Sequence, residues 1–291
     1  MNNKNRIIEV LRENISSSNK NKSSHWRAHL DKDSNYDDPY SSLGFGSFTK
    51  KTYLKSIFHF IMSRLIFEKK IFSTNTFHKY KNIFDTINRQ VDVDTIRHIY
   101  TFELLKKKIN PLKICIIGDG KLNGLIGSLI TFKDVKVYTV NLSETLINDY
   151  LILKKTNLVL ENQIHVINSR NKNIDENYKI VFIPSNYKDV LFKNNIDLFI
   201  NIASFQEMTN NEIKKYFEIV KSNNSYLYTC NREYKKLYGG EELIFDNYPW
   251  NNGNKIIYDY CSWHQKFYMT KFPFIKKYDG KVKHCLINFS K

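Results

Sequence analysis

The chain of 291 residues has only four cysteines, and no two of them form a C-x-x-C pair. Cys115, Cys230, Cys261 and Cys285 stand far apart, which signals neither a zinc knuckle nor a disulfide framework and points to a reducing, cytoplasmic setting. The opening MNNKNRIIEVLREN lacks the apolar core of a secretory signal. No run reads as a transmembrane segment. The most membrane-like stretch, YLKSIFHFIMSRLIF at 53–67, is too short and carries Lys55, His59 and Arg64. No internal repeat is visible. Acid is scarce beside base, 29 Asp+Glu against 45 Lys+Arg, for a formal net charge of +16. Such a charge can signal nucleic acid. Here the lysines are spread along a chain rich throughout in Lys, Asn, Ile, Tyr and Phe, so nucleic acid is not the expected partner.

The sequence does contain enough apolar residues for a packed core, at 42% hydrophobic and 14% aromatic. In the 53–67 stretch Ile57, Ile61 and Leu65 share one helical face, with Phe58, Met62 and Ile66 beside them. This reads as an amphipathic helix packed on the protein's own core. Residues 1–110 form an N-terminal helical region, a candidate substrate cap, interrupted by the polar loop KDSNYDDPYSSLGFGS at 32–47. From Pro111 the pattern becomes strand, helix, strand. LKICIIG is a buried parallel strand. Leu122, Leu125, Ile126, Leu129 and Ile130 then mark a helix with one apolar face. VKVYTVNL is a second strand, and SETLINDYLILKK a helix with Ser143 as its expected N-cap. KIVFIPSN (179–186), IDLFINIAS (196–204) and SYLYTCN (225–231) are the next strands. TNNE (209–212) opens a helix as a capping box. KIIYDY and VKHCLINF are candidate last strands. Short links between alternating elements predict an α/β fold with a doubly wound, Rossmann-like parallel sheet over 111–291. Its ligand crevice lies beyond the carboxyl ends of the strands.

The residues that follow those strands are the candidate site. ICIIGDGKLNG at 114–124 places Gly118, Gly120 and Gly124 around Asp119. A dinucleotide loop is spaced G-x-G-x-x-G and needs an acid after the second strand. Here Asn123 occupies the third glycine's place and Asn141 the acid's. A phosphate-free ligand such as S-adenosylmethionine asks less of the loop, and Asp119 is placed to pair with that ligand's ammonium group. Leu142, Ser185, Asn186 and Ser204 complete the expected cofactor contacts. Glu207, directly after the fourth predicted strand, and His264 in CSWHQK are the candidate general bases. Gln206, Asn231, Arg232 and Tyr234 supply polar groups, and Tyr248, Trp250 and Trp263 supply rings on which a sugar could stack. Glu207, Asp246 and His264 are metal-ligand types, but no spacing demands a metal.

IGDGKLNG, VNLSETLINDYLIL, INIASFQEM, NREYKKLYGGEEL, YPW and WHQKFY together resemble the sugar O-methyltransferases found in bacterial surface-polysaccharide clusters, from about Pro111 to the C-terminus and more loosely at Trp26 and GFGSF. The resemblance implies a class I methyltransferase fold, S-adenosylmethionine as methyl donor, and a hydroxyl of a nucleotide sugar or surface glycan as acceptor. Many proteins of that fold carry an acid two residues before the first glycine and another after the second strand; this chain has Ile116 and Asn141. Three other readings stay open. An NAD-dependent sugar dehydrogenase or epimerase would use Tyr-x-x-x-Lys, which Tyr150 and Lys154 match at an unexpectedly early place. An RNA methyltransferase would suit the charge, but no N-P-P-Y-type motif follows the fourth strand. A non-catalytic binding module would bind cofactor without turnover. Homo-oligomerisation is compatible with all of them.

Overall fold

The computed structural model describes residues 6–15, 23–24, 52–269, 272–275 and 278–290. The polar loop at 32–47, Trp26 and GFGSF lie outside the described residues. Helices α1 (Arg6–Glu13), α2 (Tyr53–Ile66), α3 (Asn75–Thr86) and α4 (Val93–Leu105) precede the sheet. Then come β1 (Lys113–Ile117), α5 (Asn123–Thr131), β2 (Lys136–Asn141), α6 (Ser143–Thr156), β3 (Ile164–Val166), β4 (Ile180–Pro184) and β5 (Leu198–Ile202). The chain continues through α7 (Asn210–Ser222), β6 (Tyr226–Arg232), the short β7 (Tyr234–Lys236) and β8 (Glu242–Ile244), β9 (Asn254–Tyr260) and β10 (Val282–Asn288).

Eight strands form one sheet in the order β3-β4-β2-β1-β5-β6-β10-β9. The pairs from β3 to β6 are parallel, and β10 runs antiparallel to both of its neighbours. The order reverses beside β1, so β1 and β5 flank the switch point where such sheets open a crevice. Alternation explains how β1 serves both faces. Ile114 and Ile116 join the core under α1–α6, while Cys115 and Ile117 join the core under α7. The same period-2 split assigns Ile180 and Phe182 to the first layer and Val181 and Ile183 to the second. The two-layer wrapping is the Rossmann-like, doubly wound architecture expected from the sequence.

Three local expectations are corrected. The face Ile57–Ile61–Leu65 of α2 is exposed, at 41%, 50% and 68%. The buried face carries His59, Met62 and Ser63 instead, with His59 Nδ1 bonded to the Tyr268 hydroxyl at 2.7 Å. A polar contact to the C-terminal part, invisible to periodicity, sets which side turns inward. Helix α6 starts one residue early, with Leu142 at its N-cap and Ser143 as its first, fully buried residue. Strand β3 and the β7–β8 hairpin were not expected, each strand being three residues long and so giving little pattern to read. At α7 half of the expected capping box is present: the Thr209 side chain accepts from Glu212 N, while the Glu212 carboxylate pairs with Lys188 at 2.9 Å.

Candidate active site

The turn after β1 builds the floor of the site. Gly118 has φ +72°, and a Cβ there would stand 1.9 Å from Ser204 Oγ. Only glycine meets both demands, so the loops after β1 and β5 touch at this residue. Lys121 and Leu122 also have left-handed φ values, 72° and 62°. Backbone of this kind needs outside support. The support comes from α3 and the turn that follows it. Buried Arg89 donates from Nη1 to Lys121 O at 2.6 Å and from Nη2 to Asn123 Oδ1 at 3.0 Å, and the Tyr80 hydroxyl donates to Asn123 O at 2.5 Å.

Asp119 is placed differently from expectation. Its Oδ1 accepts from Gly124 N at 2.9 Å and its Oδ2 from Leu125 N at 2.7 Å. The carboxylate thus caps the N-terminus of α5 rather than turning to a ligand's ammonium group. Asn141 is also committed internally. Its Nδ2 donates to Asp119 O at 3.0 Å and its Oδ1 accepts from Leu142 N at 2.9 Å, tying the ends of β1 and β2 together.

The loop after β5 is held by a buried amide chain. Asn201 Nδ2 donates to Ile117 O at 3.1 Å, and Asn231 Nδ2 donates to Asn201 Oδ1 at 2.9 Å. Asn231 Oδ1 accepts from Gln206 N at 3.2 Å, and Gln206 Oε1 accepts from Arg232 N at 2.8 Å. A half-satisfied network would be costly here; Asn201 and Asn231 use both their amide oxygen and their nitrogen in this one. It fixes Glu207, which is 3% exposed. Burial pushes the Glu207 carboxyl up to about 8, against the opposing pull of Lys235 and Arg232.

A cavity of about 430 Å³ opens above these loops. That size suits a small-molecule site, for which about 300–1,000 Å³ is usual. Gly118, Asp119, Gly120, Asn123, Asn141, Ser204, Gln206, Glu207, Arg232 and His264 all line it. His264 is buried, and burial together with the charges of Arg97, His98 and His284 holds its pKa well below the ordinary histidine value.

Other expected site residues lie elsewhere. Leu142, Ser185 and Asn186 do not line the cavity, and Asn231 sits beneath it as a scaffold. Tyr234 is 50% exposed and donates to Glu242 at 2.9 Å. Tyr248 and Trp250 are packed in the α7-side core against Phe217 and Phe245. Trp263 stacks on Tyr100 and packs edge-on to His284. These three rings serve packing, because their apolar area is worth more inside than at a wet rim. Asp246 pairs with Lys283 at 2.8 Å, outside the cavity. Tyr150 and Lys154 both meet Glu161, also outside it, so the Tyr-x-x-x-Lys match has no place in the site.

Sequence reasoning missed the wall facing the loops. Helix α4 contributes Asp94, Arg97 and His98, and the C-terminal part contributes Phe267, Tyr278 and Asp279. Arg97 pairs with Asp94 and Arg232 with Asp279, each at 2.8 Å, and both guanidiniums lie over the Tyr278 ring at 5.1 and 5.3 Å. The only sequence signal for α4 was the Asp-rich start VDVD before a helical run, which reads equally well as capping.

No family model and no curated protein matches this sequence. Solved structures give distant likenesses. A SAM-dependent methyltransferase from Aquifex aeolicus is 13% identical, with a TM-score of 0.38, over 67% of this chain and 88% of that one. The plantazolicin methyltransferase BamL is 12% identical, with a TM-score of 0.43, over 81% and 99%. The O-methyltransferase TomG from Streptomyces achromogenes is 10% identical, with a TM-score of 0.40, over 82% and 96%.

Proposed function

We propose that this protein is an S-adenosylmethionine-dependent O-methyltransferase acting on a sugar hydroxyl of a nucleotide sugar or surface glycan. The observation that carries the reading is the Asp119 carboxylate seated on the first amides of α5. In a dinucleotide site those amides bind the pyrophosphate. Here they are taken by the chain's own anion, which repels a phosphate and leaves the glycine turn to a ligand without one. S-adenosylmethionine fits that description, and its sulfonium brings positive charge beside Asp119 and Glu207.

Methyl transfer is an in-line displacement. The acceptor oxygen forms a bond to the methyl carbon as the carbon–sulfur bond breaks, and the acceptor proton must leave. The donor is already activated, so alignment and exclusion of water are the main tasks. Glu207 is the base we assign to the proton. Its raised pKa keeps it protonated in the empty site at neutral pH, and the incoming sulfonium favours the carboxylate. His264 is the weaker candidate, because burial and its cationic neighbours leave the ring neutral but feebly basic. Phe267 and the edge of Tyr278 supply apolar surface for a sugar ring, while Asp94, Asp279 and the two arginines supply hydroxyl partners.

Calorimetry with S-adenosylhomocysteine and NAD side by side tests the cofactor. Binding of the first and silence from the second are expected; the reverse would favour the dehydrogenase. Transfer of labelled methyl groups to a panel of nucleotide sugars then tests the acceptor.

A further inference from the structure

Cysteines that look unrelated in the sequence meet in space. Cys230 on β6, Cys261 just after β9 and His264 three residues later bring their ligand atoms within 4.8 Å of one another, and all three are buried. Cys230 is paired with His284 on β10, and Cys261 N donates to Val282 O of the same strand. Strand β10 therefore lies between the two cysteine backbones. Adjacent strands are about 4.8 Å apart, so the α-carbons stand about two spacings apart. A disulfide spans at most about 7 Å between α-carbons. The thiols converge across an intervening strand, and both are free.

A metal ion accommodates that separation. Zinc takes sulfur at about 2.3 Å and nitrogen at about 2.0 Å, so two thiolates on one zinc are themselves about 3.8 Å apart. Two further contacts around the cluster resemble the supporting shell of such a site. The backbone N–H of His264 donates to Cys261 Sγ, and the Cys261 thiol is also hydrogen-bonded to His284. His284 Nδ1 meets the Tyr228 hydroxyl at 3.2 Å, which fixes the ring and leaves its other nitrogen for the sulfur. His264 Nε2 is buried with no hydrogen-bond partner.

We infer that Cys230, Cys261 and His264 bind one thiophilic divalent ion of the zinc class, with His284 supporting Cys261 and a water completing the tetrahedron. Two thiols release their protons to solvent on binding, and two thiolates neutralise the ion, so the buried site carries no net charge. Thiolate and imidazole select zinc over magnesium or calcium. The ion would staple β6, β10 and the turn that carries His264 into the cavity wall. This inference does not rest on the methyltransferase reading, and it removes His264 as that reading's weaker base.

The test is anaerobic titration of the reduced full-length protein with cobalt(II). One equivalent should give a thiolate-to-cobalt charge-transfer band and tetrahedral visible bands, and zinc should erase both. Cys230→Ser and Cys261→Ser should each weaken binding at least about 10–100-fold, while Cys285→Ser, on the opposite face of β10 in the α7-side core, leaves the spectrum intact. No charge-transfer band from the wild-type protein would overturn the site, and that titration needs no variant to fold. A band that survives the double variant would also overturn it. So would finding two free thiols rather than four in the denatured, never-reduced protein, which would mean a disulfide. S-adenosylhomocysteine binding, measured on the same samples, reports separately on the proposed function.

Discussion

At the scale of single residues the strongest statement concerns Glu207. Its pKa in the folded protein lies near 8 against an ordinary 4.5, because burial penalises the charged form. The folded state therefore holds a proton that the unfolded chain has released. The stability this contributes is complete below about pH 4.5 and is lost as pH rises through about 8. Glu207→Gln should consequently melt higher than wild type at pH 9 and show no such difference at pH 4, as thermal unfolding across that range would reveal. The same substitution should lower methyl transfer by about 10²–10⁴-fold. In wild type, kcat/KM should climb with pH to a plateau above about 8, and that limb should vanish in the variant. Gly118 gives a second test. Gly118→Ala would force a methyl group into Ser204 at φ +72°, costing about 1–3 kcal/mol and displacing the loop after β5. Binding of S-adenosylhomocysteine should fall at least tenfold by calorimetry. The added substitution Ser204→Gly removes the clash but not the strain, and should restore only part of the loss.

At the scale of elements, the sheet was legible and the wall was not. Strands β1, β2, β4, β5, β6 and β10 could be read because buried strands are apolar runs bounded by turns, β9 is an exposed edge read from KIIYDY, and Gly118, Ser204, Gln206 and Glu207 followed from where the buried strands end. The N-terminal helices could be recognised as helices but not placed. Nothing in their periodicity says that Arg89 reaches the carbonyl of Lys121, or that Asp94 and Arg97 face the cavity. Such contacts join residues from distant parts of the chain and leave no local pattern. The same reason explains α2, whose inward face follows His59 and its bond to Tyr268 rather than the widest apolar stripe. Aromatic residues misled for a related reason: Tyr248 and Trp250 sit beside polar turns in sequence but beneath them in space. Arg89→Ala tests this long-range support. It would strip two hydrogen bonds from the strained turn at 121–123 and leave buried acceptors without their donor, at about 1–3 kcal/mol for each. Guanidinium titrations should show the lower midpoint. Saturating S-adenosylhomocysteine should recover part of it, since a ligand bound to the folded state adds about 2.7 kcal/mol at 100 times its Kd.

At the scale of the molecule, the net charge of +16 invites a nucleic-acid reading, and the question is whether that charge converges on the site. Among the described residues it does not. Arg97 and Arg232, the guanidiniums on the cavity wall, are each ion-paired with a carboxylate, Asp94 and Asp279, that lines the same cavity, and the third cation there, Lys121, is buried with its charged form disfavoured by that burial. Other cations are balanced the same way: Lys113 and Lys136 both meet Glu176, and Lys283 meets Glu233 and Asp246. A phosphate backbone needs unpaired cations along a groove, since release of its counterions drives the binding. A cavity whose arginines already carry carboxylates offers instead a hydrogen-bonding surface with a ring between the two pairs. The expected outcome is therefore a separation of two behaviours. The chain should adhere to RNA at low salt through its scattered lysines, and that retention should disappear by about 0.2 M salt, with the steep dependence of a diffuse electrostatic contact. Methyl transfer to a nucleotide sugar should change little over the same range and should not be inhibited by added RNA. Competition between RNA and the sugar acceptor, or turnover that falls with salt in step with RNA release, would place the phosphate backbone in the site and exclude the sugar.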